Sequence, residues 1–234
     1  MEEMDVARRG ANIKRQYIKA RQKGRLRAIE SNSARDVYNW LRKLYPNQNV
    51  VSESYLRLEK PAAATSTISF DVLSNEGNQS TTERRINIAD DFVATHVGLA
   101  FIGAATADTE YGQYPLLGYP STVNTNGADD PEIMNRIYNG YLSMRKDSIV
   151  VFDSIDINQF KYVGDSQQGV ASAEASSWNR HVPMAPITPG LIMSGQAKQK
   201  LELSIPVDGA LADIQVRIAL LFRGFLVQGG ASIK

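Results

Sequence analysis

The chain contains no cysteine, and that single absence removes disulfides, zinc–thiolate centres and thiol nucleophiles together. It fits a reducing compartment without requiring one, because large extracellular proteins also manage without disulfides. Histidine is nearly as scarce, with only His96 and His181 present. Long apolar runs are missing as well. The greasiest windows, VGLAFIGAA (97–105) and IALLF (218–222), fall well short of the roughly 18 residues of a spanning helix. The N-terminus has basic residues but no apolar stretch behind them, so the expectation is a soluble product made in the cytoplasm, without an export signal. There is no Walker sequence, no H-E-x-x-H and no G-x-S-x-G, which leaves no template for a phosphate cradle, a zinc hydrolase or a nucleophile elbow.

Acid is missing from one particular place. Residues 7–27, ARRGANIKRQYIKARQKGRLR, hold nine Lys and Arg and no Asp or Glu, although the whole chain has a formal net charge of only +1. Residues 1–45 contain 12 basic and 5 acidic side chains, residues 46–234 contain 14 and 20, so a basic arm is joined to a mildly acidic body. Ile13, Tyr17 and Ala20 share a helical face, but Gly10, Gly24 and charge repulsion oppose a helix unless a partner neutralises the arm.

After the arm, residue periodicity sets the expectation. Ser33 and Asp36 make an S-x-x-D capping box, and Val37, Trp40, Leu41 and Leu44 come next at i, i+3, i+4 and i+7. Pro46 ends the stripe, so an amphipathic helix is expected over 34–45. Past Pro46 the period switches to two. Ser54–Leu58, Thr67–Val72 and Arg85–Ala89 alternate apolar and polar residues, and Phe92–Ile102 reads as a longer, more buried strand. Further strands are expected over Ile137–Met144, Ser148–Phe152, Asp156–Tyr162, Leu191–Ser194, Lys200–Ile205 and Val216–Leu226. Polar stretches at 103–132 and 164–190 read as long loops, and VQGGAS (227–232) as a loose tail. Nine or ten short strands with one helix predict a mainly β chain, an antiparallel β-sandwich of jelly-roll type. The expected organisation is an arm over 1–33, a helix over 34–46 and the sandwich over 47–234.

Chemistry-bearing residues are few. His96 lies in the apolar strand ATHVGLAF, and neither Ala94 nor Gly98 supplies a second metal donor at strand spacing, so a structural role is expected. His181, in NRHVP, reads as solvated or at an interface. The pairs Asp153/Asp156 and Asp129/Asp130 lack the spacing of a calcium loop and read as turn residues. No metal, no cofactor and no catalytic residue is therefore expected. Tyr111, Tyr114 and Tyr119 in the first long loop either bind a partner or pin the loop to its own sheet.

Three stretches carry a resemblance: IYNGYLSMRKDSIVVFDSIDINQFKYV, PITPGLIMSGQAKQKLELSIPV and IALLFRGFLVQGGAS. Their order resembles virion structural proteins of bacteriophages, in particular capsid proteins of jelly-roll type, over about residues 54–230. The first 45 residues have no counterpart in that pattern. The resemblance implies a self-assembling subunit located in the virion, with itself and other virion proteins as partners. It also implies that the arm faces packaged nucleic acid through Arg8, Arg9, Lys14, Arg15, Lys19, Arg21, Lys23, Arg25 and Arg27, binding by counterion release without base readout. In a lipid-containing virion the arm would meet anionic membrane instead. Val37, Trp40, Leu41, Leu44 and the three loop tyrosines are then candidates for subunit contacts. Two other classes stay open. A cellular non-specific nucleic-acid-binding protein would want basic residues or aromatics on the folded surface as well, whereas the body here is net acidic. A carbohydrate- or receptor-binding sandwich, with Trp178 and the tyrosine-rich loop as platform, leaves the arm unexplained.

Overall fold

The computed structural model describes residues 34–45, 50–62, 66–103, 116–119, 124–125, 128–129, 131–147, 149–161, 184–206 and 216–233. The arm with its nine cations lies outside them, as do Tyr111, Tyr114, Trp178 and His181.

Helix α1 spans Ala34–Leu44, with Asp36 in its first turn and Arg42 and Lys43 in its last, the signs that complement the helix dipole. The strands are β1 (Val51–Pro61), β2 (Thr67–Phe70), β3 (Asp91–Gly103), β4 (Asn124–Thr125), β5 (Ala128–Asp129), β6 (Tyr141–Lys146), β7 (Ile149–Asp156), β8 (Ala185–Ser194), β9 (Gln199–Ser204) and β10 (Val216–Val227). Two four-stranded antiparallel sheets run in the orders β1-β10-β3-β8 and β2-β9-β6-β7, while β4 and β5 form a small hairpin.

The pairing has one logic. β1 pairs β10, β2 pairs β9, β3 pairs β8 and β6 pairs β7. Each strand of the first half thus meets its mirror in the second half, as in one long hairpin whose pairs fall alternately in the two sheets. The tip of that hairpin is Asp147, at φ 49°, a conformation that Asp tolerates better than most residues. Its carboxylate accepts the Lys198 N–H at 2.9 Å, tying the tip to the β8–β9 turn.

Alternation along the strands places the core between the sheets. Leu56 and Leu58 of β1, Phe92, Leu99 and Phe101 of β3, Leu142 and Met144 of β6, Leu201 and Leu203 of β9, and Ile218, Leu220 and Phe222 of β10 all pack there. Each such side chain fully buried contributes about 1.5–3 kcal/mol. β3 and β10 are apolar on their outer faces too, because α1 covers one end of the first sheet. Val37, Trp40, Leu41 and Tyr45 pack there on Val93, Phe225 and Val227.

Several segments differ from the sequence expectation. Ile137–Met144 is not a strand: Pro131 opens helix α2, Pro131–Tyr138, and β6 begins only at Tyr141. Proline suits the first helical position, where its missing N–H has no intrahelical partner to lose. Ser148–Phe152 and Asp156–Tyr162 are not two strands either. β7 runs unbroken to Asp156, whose side chain then accepts the Asn158 N–H at 2.9 Å and caps a 3-10 turn, Ile157–Phe160. Arg85–Ala89 forms no strand but flanks isolated bridges, Arg84 to Arg57 and Ile86 to Leu73. The stretch 103–132 contains structure of its own, the β4–β5 hairpin and Leu117, which bridges to Phe101. The C-terminal tail is anchored: Gly229 N–H donates to Asp90 Oδ1 at 2.8 Å, and Ala231 is fully buried in a closing 3-10 turn, Gly230–Ile233.

Candidate interaction surfaces

The predicted contact residues fall into three groups. Val37, Trp40 and Leu41 are buried against their own sheet and Leu44 is half-buried beside them, so the α1 stripe meets β3 and β10 of the same chain. Tyr45 completes that contact by donating its hydroxyl to the buried Asp91 carboxylate at 2.6 Å. Tyr119 packs edge-on against Tyr138 with centroids 5.3 Å apart, and Lys161 Nζ lies 5.3 Å from its ring centre. Of the two roles open to Tyr119, the geometry shows the pinning one. Burial is also the main cause that pushes the Tyr138 phenol above its ordinary range. Tyr111, Tyr114 and the nine arm cations lie outside the described residues.

Of the candidate acids and imidazoles, Asp156 serves as the cap described above and Asp153 is exposed. His96 is half-buried on the outer face of β3, its Nδ1 at 3.0 Å from Thr95 Oγ1. Among the described residues no group of three or more His, Asp or Glu gathers as a metal site, and no helix is long and apolar enough to cross a membrane.

Three further surfaces carry no local mark in the sequence. The first is the open edge of β7. Ile149, Val150 and Val151 are 70, 50 and 45 % exposed, three consecutive apolar residues on the outermost strand of the second sheet. Two extra residues in β7, opposite Leu142–Met144 and Met144–Arg145 of β6, bulge the strand and turn Phe152 and Ile155 onto the core. Between this edge and β8 lies a groove of about 690 Å³ lined by Val151, Phe152, Ile155, Ile187 and Leu191, with Asp156 at its rim.

The second surface is the outer edge of β1, where the 74–90 segment lies. Glu83 there accepts the Glu59 N–H on Oε1 and the Ser80 N–H on Oε2, both at 2.8 Å, and Arg85 donates to the same Oε2 at 2.8 Å. Arg85 also donates to the carbonyls of Glu76 and Asn78, while Glu59 holds Arg57 at 2.6 Å and Thr82 Oγ1 at 2.7 Å. The Glu59, Glu83 and Arg85 side chains are essentially inaccessible, so these charges are compensated within the protein.

The third is a row across the outer face of the first sheet. Tyr55, Arg223 and His96 stand opposite one another on β1, β10 and β3. The Arg84 guanidinium lies 4.9 Å from the centre of the Tyr55 ring.

The chain matches no family model, no curated protein and no solved structure.

Proposed function

We propose that this protein is a virion structural protein, a capsid-type subunit that assembles through its sandwich while its basic arm contacts packaged nucleic acid. The observation that carries the reading is the strand order. β1-β10-β3-β8 facing β2-β9-β6-β7 is the arrangement expected of a jelly roll, an eight-stranded roll used by viral shells among other proteins. A fold does not select a function, so two further features narrow the choice. Nine cations without an acid, placed shortly before helix α1 in the chain, suit a polyanion. The bare β7 edge suits a second copy of the same chain.

That second contact has a charge logic. Arg145, Lys198 and Lys200 cluster at the tip end of the β6–β7 hairpin, with Lys200 also holding Glu202 at 2.7 Å. Asp153 and Asp156 lie toward the other end of β7. An antiparallel β7–β7 pair about a two-fold axis would bring the cationic end of each copy beside the acidic end of its partner.

The test is the size distribution of the purified full chain, by light scattering and electron microscopy, with and without residues 1–33. Discrete assemblies are expected, and a monomer at every concentration would overturn the reading. Oligonucleotide binding should follow the arm. With roughly five phosphates engaged on a single strand, a fourfold rise in salt weakens binding about a hundredfold. Binding that survives removal of the arm, or ignores salt, would assign the arm to protein contacts.

A further inference from the structure

We infer that Tyr55, Arg84 and Arg223 form a second nucleic-acid contact, on the folded body, which takes an unpaired base of a single strand on the Tyr55 ring. The inference deepens the virion reading and rests on it.

Tyr55 is half exposed although it stands in the middle of a strand, on the sheet face away from the core. Its neighbours explain why a base is the ligand of choice. Arg84 lies over the ring, and an aromatic face already held against a guanidinium leaves the remaining exposed surface as a preorganised platform. Arg223, directly opposite Tyr55 in the register, is exposed, and His96 continues the row on the next strand. Base stacking is tolerant of sequence because every base has a π-face, and the two arginines supply phosphate contacts on either side.

The placement of this row agrees with the arm. Val51 of β1 packs into the α1 cluster, so α1 and Tyr55 share one face of the first sheet. The exposed surface of α1 adds Arg35, Arg42 and Lys43, and Tyr38 stands beside Phe225 with ring centroids 6.1 Å apart. Against these cations the same surface shows two exposed acids, Asp36 and Glu53. Helix α1 begins at Ala34, so the arm precedes this face in the chain. A body with fewer basic than acidic side chains thus presents a locally cationic, aromatic-bearing face where its basic arm is joined.

The test uses the full chain and a fluorescent oligothymidylate of about 20 nucleotides, long enough to span more than one contact. Tyr55→Ala is expected to weaken binding on the order of tenfold, while Tyr55→Phe keeps it, since stacking needs the ring and not the hydroxyl. Arg84→Gln with Arg223→Gln should reduce the magnitude of the salt slope by about 1.4, two single-strand phosphates. The same Tyr55→Ala change should leave duplex binding intact, because paired bases offer no free face. Thermal melts should match the parent, since all three side chains lie on the surface. Wild-type affinity in Tyr55→Ala overturns the inference and leaves the arm's role standing. An equal loss on duplex and single strand overturns stacking in favour of bare charge. A parent protein that binds phosphatidylserine vesicles but no oligonucleotide removes both this contact and the packaged-genome reading.

Discussion

The outer edge of β1 is roofed by the 74–90 segment, whereas the outer edge of β7 meets solvent with Ile149, Val150 and Val151. Both strands are long, at 11 and 8 residues, and both would offer unpaired backbone groups to any passing strand. On β1 that hazard is removed by burying two carboxylates and a guanidinium in a network that holds the roof down. The remaining edges use simpler devices. β2 is only four residues long, and β8 carries Pro186, which has no N–H to offer a neighbour. Among the described residues, β7 is an edge both long and apolar at its surface. Its two bulges confine a regular added ladder to its first few residues, which are the apolar ones. That edge is where the self-association proposed above can be tested most directly.

Breaking the guarded side should have the largest effect on stability. Arg85→Ala would leave Glu83 buried without its cation and strip the donor from the Glu76 and Asn78 carbonyls. Removing one partner of a buried pair costs about 3–5 kcal/mol. Urea denaturation should show that loss, and Arg85→Lys should recover only part of it, since an ammonium lacks the forked donors. A loss under about 1 kcal/mol would show that the roof is not anchored by this network, placing it among ordinary surface changes.

The α1 contact comes next. Trp40→Ala should cost about 3 kcal/mol by opening the cluster against Val93, Phe225 and Val227. Tyr45→Phe removes one donor from buried Asp91 and should cost about 1–3 kcal/mol. Both losses should appear in a dilute sample in which no assembly forms, because the stripe packs within one chain. Losses seen only in assembled protein would show that α1 docks between copies instead.

Parts of this layout are legible in the sequence, for reasons that residue pattern explains. The helix ends come from Asp36 and the apolar stripe, β1 and β9 from alternation over a one-sided core, and β3 and β10 from their longer apolar runs. α2 escapes that reading because Ile137 and Tyr138 continue into the alternating residues of β6, so a helix end and a strand start look like one strand. β7 looks like two strands because its bulges break the period. The guard on β1 and the Tyr55 row leave no trace in the local pattern. Glu59 meets Glu83 across 24 residues, and Arg223 stands opposite Tyr55 from the far end of the chain. Nothing local marks either meeting.

The smallest effect on stability is expected at the bare edge, and it is the one that decides what the edge is for. Val150→Lys places a charge on a side chain that is already half exposed, so unfolding free energy should stay within about 0.5 kcal/mol of the parent. Assembly should nevertheless be lost, because a lysine on an edge strand cannot be desolvated against a second copy and is the residue by which edges are ordinarily protected. Val150→Thr keeps the β-branched shape and should keep the oligomer. Sedimentation velocity on the three proteins at equal concentration separates the cases. If Val150→Lys assembles like the parent, β7 is not the contact. If the variant is unchanged in size but melts several degrees lower, the edge packs within its own chain, and self-association must use another face. Only a monomer with parental stability fits an edge left open for a second copy.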